Sequence, residues 1–189
     1  MIRNLIGLLV LVVLIIWGMA WYHLNSTKTI KGQPLLLSHW EDSTAKATLR
    51  QVMKADNFKI TQQQRHNFGY TESIHWFKFR VETQSIPQEL SLEIKNHLIN
   101  HLELFEVHER KVTSLGKSGD WLPFSQRPTP SRTFVYPISL EAYDEADFYL
   151  RLDKRYENLA TEITLWQTND FEDRDQREYL LWGIFIGVV

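Results

Sequence analysis

Between His75 and Leu165 apolar side chains recur at every second position, the period of strands buried on one face. In His75–Glu82, Phe77, Phe79 and Val81 point one way while Trp76, Lys78 and Arg80 point the other. Leu90, Leu92 and Ile94 alternate with Ser91, Glu93 and Lys95, and Leu102 and Leu104 with His101, Glu103 and Phe105. Phe134, Tyr136, Ile138 and Leu140 form another stripe, as do Phe148, Leu150 and Leu152, then Ile163 and Leu165. Glu109-Arg110-Lys111 is polar enough to turn a hairpin into Val112–Leu115. Ser85-Ile86-Pro87, Gly116–Gly119 and the proline-rich Pro123–Pro130 supply turn chemistry elsewhere. Half-buried strands at short intervals predict an all-β antiparallel sandwich. One short helix precedes them: Ala45–Lys54, capped by Ser43, with Leu49, Val52 and Met53 at helical spacing. Leu35–His39 reads as a short strand and the polar Asn25–Pro34 as a tether.

Both ends are too apolar for such a domain. Leu5–Tyr22 is an uncharged run of 18 residues behind Arg3, nearly enough to cross a hydrocarbon core of roughly 30 Å. Gly18 and Ala20 suit a secretory signal cut after Ala20, whereas Trp17, Trp21 and Tyr22 suit an uncleaved anchor with an aromatic belt. Either way Arg3 stays cytoplasmic and the chain after about residue 25 is exported. At the other end Tyr179–Val189 stops while still apolar, as the start of a transmembrane helix would. Asp170–Glu178 precedes it with no basic excess, which suits the outer side of a membrane. The expected organisation is a signal or anchor at 1–24, an exported domain at 25–167, a linker helix at 168–178 capped by Thr168 or Asp170, and a membrane segment at 179–189.

The part between the apolar ends carries 20 basic and 23 acidic residues. That balance provides no field for holding nucleic acid and no polybasic tract for lipid. The chain has no cysteine, which excludes disulfides, thiolate catalysis and cysteine-bound zinc. The Asn25-Ser26-Thr27 sequon matters only in a eukaryotic secreted protein.

His97 and His101, with His108 further on, raise the question of a metal. A spacing of four joins two imidazoles only on a helix, and this stretch reads as a loop entering a strand, so no metal ligand is assigned. Glu103 with Glu106, and Asp144, Glu145 and Asp147, are the carboxylates available to a glycosidase, whose separation the sequence does not fix. Gly-x-Ser-x-Gly, His-Glu-x-x-His and phosphate-loop motifs are missing. No catalytic residue and no cofactor is therefore assigned.

The candidate ligand-binding residues are aromatic and basic. Flat rings stack on the C–H face of a sugar, and charged or planar groups bond its hydroxyls. Trp76, Lys78 and Arg80 share one strand face, Tyr149 and Arg151 share another, and Trp121, Arg127 and Arg132 flank the proline-rich loop. Packing is the competing role for a strand tryptophan.

From about Leu49 onward the chain resembles the second type of extracellular domain of bacterial seven-transmembrane receptors with diverse intracellular signalling modules. The likeness rests on Asn67-Phe68-Gly69-Tyr70, Ile74-His75-Trp76-Phe77-Lys78-Phe79, Leu102-Glu103-Leu104-Phe105, Gly119-Asp120 with Arg127-Pro128, Phe134–Ile138, Phe148-Tyr149-Leu150-Arg151-Leu152 and Tyr179–Gly187. His75 stands where the family has tyrosine, and Lys78 where arginine is usual. The resemblance implies a periplasmic jelly-roll sensor, similar to carbohydrate-binding modules, in a bacterial inner-membrane receptor with a histidine kinase, diguanylate cyclase or similar output. It implies a small polar ligand such as a carbohydrate. A non-catalytic module that docks a partner or forms a homodimer is the alternative.

Overall fold

The strand-forming stripes appear as ten strands among the described residues, in the order β1 (Leu37–Asp42), α1 (Leu49–Val52), β2 (Lys59–Thr61), β3 (Arg65–Thr71), β4 (Ile74–Glu82), β5 (Gln88–Ile94), β6 (His101–His108), β7 (Lys111–Ser118), β8 (Phe134–Leu140), β9 (Glu145–Asp153), β10 (Glu157–Gln167) and α2 (Thr168–Val188). The structure, a computed structural model, describes Gly7, Trp17, Gly18 and Gly32 and residues 35–61 and 63–188. The chain divides into two units, Met1–Lys31 and Gly32–Val189. In the first unit Gly7, Trp17 and Gly18 are helical. The rest of the expected signal or anchor, and the Asn25 sequon, lie outside the described residues.

In the second unit, two antiparallel sheets run β2-β1-β4-β9-β6-β7 and β3-β10-β5-β8. Alternation gives each sheet an apolar face, and these two faces bury each other. Phe77 and Phe79 lie opposite Leu150 and Phe148 in register, and Leu92 lies between Tyr136 and Leu165. All seven belong to one buried core, closed at its rims by Leu35, Leu37, Ile99 and Leu159.

Four differences from the sequence expectation have local causes. β1 runs on to Asp42, whose carboxylate accepts the Thr44 and Ala47 N–H groups at 3.1 and 2.9 Å and the Thr44 hydroxyl at 2.6 Å. Burial alone would raise the Asp42 pKa, but these bonds outweigh it and hold the carboxyl below its usual value. They coil 43–47 into a turn with Ala45 at φ 55°, so Ser43 caps nothing and the helix shrinks to one turn behind Thr48. The Thr48 N–H and hydroxyl both donate to Gln51 Oε1 at 2.8 Å. β3 escaped the period-two reading because Gly69 sits at φ 64° opposite a register shift at Leu159/Ala160, a bulge that breaks alternation. β2 is too short to show a period.

The β6–β7 hairpin turns at Glu109 and Arg110, as expected, with His108 paired to Lys111. Both turn residues have positive φ, 48° and 68°, a conformation that favours Asn-Gly over Glu-Arg. Replacing them together, Glu109→Asn with Arg110→Gly, should stabilise the domain by about 1 kcal/mol in urea denaturation. No gain would mean that the native side chains contribute contacts that offset the strain.

β10 passes directly into α2, which carries the linker and the apolar tail as one helix. Thr168 is its first residue, and its hydroxyl meets Ser91 Oγ at 3.1 Å. Asp170 lies in the first turn, where a negative charge suits the helix dipole. No described helix is long and apolar enough to cross a membrane.

Candidate functional site

The outward face of the larger sheet gathers side chains far apart in sequence. Pairing sets Trp40 beside Trp76, Trp76 beside Arg151 and Arg151 beside Glu103. The next outward row runs Ser38, Lys78, Tyr149, Phe105 and Ser114. Arg80 follows, opposite Asp147. Five of the eight predicted residues therefore share one surface. The other three, Trp121, Arg127 and Arg132, lie on the β7–β8 connection.

The charges on this surface are paired. Arg80 holds Asp147 through two bonds, at 2.8 and 3.1 Å, and reaches Glu145 at 3.5 Å. Burial would raise the Asp147 pKa, but Arg80 and Lys78 hold it below the usual carboxylate range. Lys78 lies 3.7 Å from Asp147 and 5.4 Å from the centre of the Tyr149 ring. Arg151 donates to Asp153 at 3.0 Å.

The rings themselves are covered. Trp76 is 1% exposed and Tyr149 3%. With Val52 and Ile74 they form a second small core, flanked by Trp40, Ala45, Ala47, Leu49, Phe58, Phe105 and Val107. The covering piece is the chain from Ser43 to Phe58, whose only fully buried side chain is Val52. Trp40 marks where the cover meets solvent. One cleft of about 210 Å³ is lined by His39, Trp40, Glu41, Asn57 and Lys59, and another of about 270 Å³ runs from Trp40 to Gln51 along the Asp42 turn. Trp40, Asn57 and Lys59 were not singled out from sequence, because only the pairing of β1 with β2 and β4 brings them together.

On the β7–β8 connection, Trp121 is exposed and meets the His101 ring edge-on at 5.2 Å. Arg127 turns inward over Phe124 and Phe134 and donates to the Ser131 carbonyl at 2.7 Å, bracing the loop. Arg132 is bound to Glu178 and lies over Tyr179, both on α2.

His97 is exposed, His101 meets Trp121, and His108 bonds Asp144 at 2.7 Å, so the three do not converge. Three other histidines do. His39 Nε2 lies 3.0 Å from His75 Nδ1, Thr71 Oγ1 lies 2.9 Å from His75 Nε2, and Phe68 stacks on His75 at 4.1 Å with His66 beside it. Burial lowers all three pKa values, that of His39 to about 4 with the charges of His75 and His66 adding to the effect. Neutral rings of this kind pack as aromatic side chains. No cluster able to hold a metal occurs among the described residues.

Residues 36–167 of the chain match the family model described as 7TMR-DISM extracellular 2. The chain belongs to this family. No curated protein sequence matches it. Among solved structures, TmCBM61 in complex with β-1,4-galactotriose aligns with a TM-score of 0.37 and 11% identity, over 69% of this chain and 88% of that one.

The sandwich leads out through α2, which follows β10 directly. Here α2 is clamped to the outward face of the smaller sheet. Glu93 on β5, 2% exposed, receives both terminal nitrogens of Arg174 at 2.8 Å, the Trp166 indole N–H at 3.0 Å and the Thr133 hydroxyl at 3.0 Å. Arg174 also stacks on Trp166 at 4.5 Å and on Phe171 at 5.1 Å. A planar, bidentate guanidinium fixes orientation as well as position. Arg132 adds a second tie one turn further along α2, to Glu178 and Tyr179.

Proposed function

We propose that this domain is the periplasmic ligand-sensing module of a bacterial inner-membrane receptor, performing no chemistry of its own and passing its state through α2 to an intracellular output such as a histidine kinase or diguanylate cyclase. The observation that carries this reading is the Glu93–Arg174 clamp at the point where β10 becomes α2. A fork-shaped contact on a buried carboxylate makes sheet and helix move as one body, so a change in the packing of the sandwich is delivered to the helix. A coupling of about 1–3 kcal/mol is enough to shift a two-state receptor. Apart from the β6–β7 hairpin, the strands from β3 to β10 alternate between the sheets, which supports a jelly roll, and the apolar tail of α2 supports continuation toward a membrane.

The ligand this reading favours is a small carbohydrate or similar polyol. Beneath their cover Trp76 and Tyr149, with the neighbouring Trp40, have flat apolar rings, with Lys78 and Arg151 beside them as donors to hydroxyl oxygens.

Thermal-shift screening of the chain against sugars, peptides and organic acids tests the proposal. A ligand at a hundred times its dissociation constant should add about 2.7 kcal/mol to stability. A broad panel that leaves the melting temperature unmoved would point to partner docking instead.

A further inference from the structure

The aromatic face is present but shut, and three features indicate how it opens. First, among the described residues every hydrogen bond made by 43–57 closes within that segment or onto Asp42, and none reaches the strands it covers. Second, the cover is held down through one fully buried side chain, Val52, on a helix of a single turn. A helix so short has little stability of its own. Third, the Trp76 indole N–H is buried without an acceptor among the described residues. A buried donor without a partner is uncommon in a structural core and suits a surface that finds its acceptor on a ligand.

We infer that Ser43–Phe58 is a displaceable lid over a binding surface formed by Trp76, Tyr149, Lys78 and Arg151, and that a saccharide docks by taking the lid's place. The saccharide part rests on the ligand-sensing reading above; the displaceable lid does not. The rings that pack against Val52 and Leu49 present the same flat apolar area to a pyranose. A ring or hydroxyl oxygen of the sugar accepts the Trp76 N–H. Lys78 stays tethered near Asp147, and Arg151 near Asp153, so both are held in place as the lid leaves. Asp42 and the short β1–β2 ladder are the hinge points, since they anchor the two ends of the segment. Part of the binding energy goes into lifting the lid, so apparent affinity falls with the fraction of molecules already open.

The absence of cysteine makes the test direct, because an introduced thiol is the only one in the chain. Ile74 lies beneath the lid and Leu92 between the sheets, 2% and 0% exposed. In native conditions Ile74→Cys should react with a thiol reagent at least about 100-fold faster than Leu92→Cys, because it needs local opening only. Equal rates, both following global unfolding in urea, would overturn the lid. If either variant misfolds, hydrogen exchange on the unaltered chain reads the same thing: amides of 49–55 should exchange well before those of β4 and β9. In a second arm, Val52→Ser loosens the lid, and a panel of mono- to trisaccharides is titrated against both forms. Tighter binding by Val52→Ser, or binding by that form alone, supports the gate. Unchanged affinity for a sugar that binds both forms places the ligand elsewhere and overturns the gate, leaving the sensor reading intact. No binding by either form overturns the gate and the carbohydrate reading together.

Discussion

Arg174→Met should lower the unfolding free energy by about 3–5 kcal/mol, the usual cost of removing one partner from a buried ion pair. Glu93 would stay at 2% exposure, with only the Trp166 indole and the Thr133 hydroxyl left to satisfy it. Methionine can occupy the space over Trp166 and Phe171, so the loss comes mainly from the stranded carboxylate. The double variant Glu93→Gln with Arg174→Met separates the causes: it removes the charge yet retains an acceptor for the indole and the hydroxyl. It should regain more than half of the loss in urea denaturation. If Arg174→Met alone costs under 1 kcal/mol, the pair is not a clamp. In the full receptor both variants should weaken the response to ligand, because the double variant restores stability without restoring the fork that fixes α2. A double variant with full response would remove the clamp from signalling.

Acidification from pH 7.5 to pH 5.0 should destabilise the domain before its carboxylates titrate. His39, His66 and His75 all have folded pKa values below the ordinary 6.5. Below 6.5 the unfolded chain binds protons that the folded rings refuse, so stability falls with pH until His39 protonates near 4. For His39 alone the shift corresponds to at most about 3 kcal/mol, reduced by solvent screening of a half-buried ring. Glu41 opposes the shift at His39 and His75, and Lys59 adds to it at His39. His108 works the other way, since its bond to Asp144 raises its pKa, but its side chain is 38% exposed and solvent-screened and contributes little. Asp42, Asp147, Asp153 and Glu162 are held below their ordinary values, so the stability they contribute is lost only in stronger acid. The urea midpoint should therefore drop between pH 7.5 and 5.0, and His39→Asn should flatten part of that slope. A midpoint constant over this range would contradict neutral, buried rings.

Period-two alternation already determined the all-β class, the faces of β4, β5, β8 and β9, and the company of Trp76, Lys78 and Arg80 on one side of a strand. This is local information: successive strand side chains point to opposite faces whatever lies beyond them. The motif run from Asn67 to Leu152 was likewise legible, and the family match bears it out. Only the tertiary structure decided what covers that face and what each charge holds. Trp76 is buried because Val52, on α1 more than twenty residues earlier, lands on it, and the strand pattern of β4 is the same with or without that cover. Arg132 and Arg174 are ties to and from α2, and the histidines that meet are His39, His66 and His75, not His97, His101 and His108. Such pairings depend on the register and sheet order of strands separated by tens of residues, which no local period encodes.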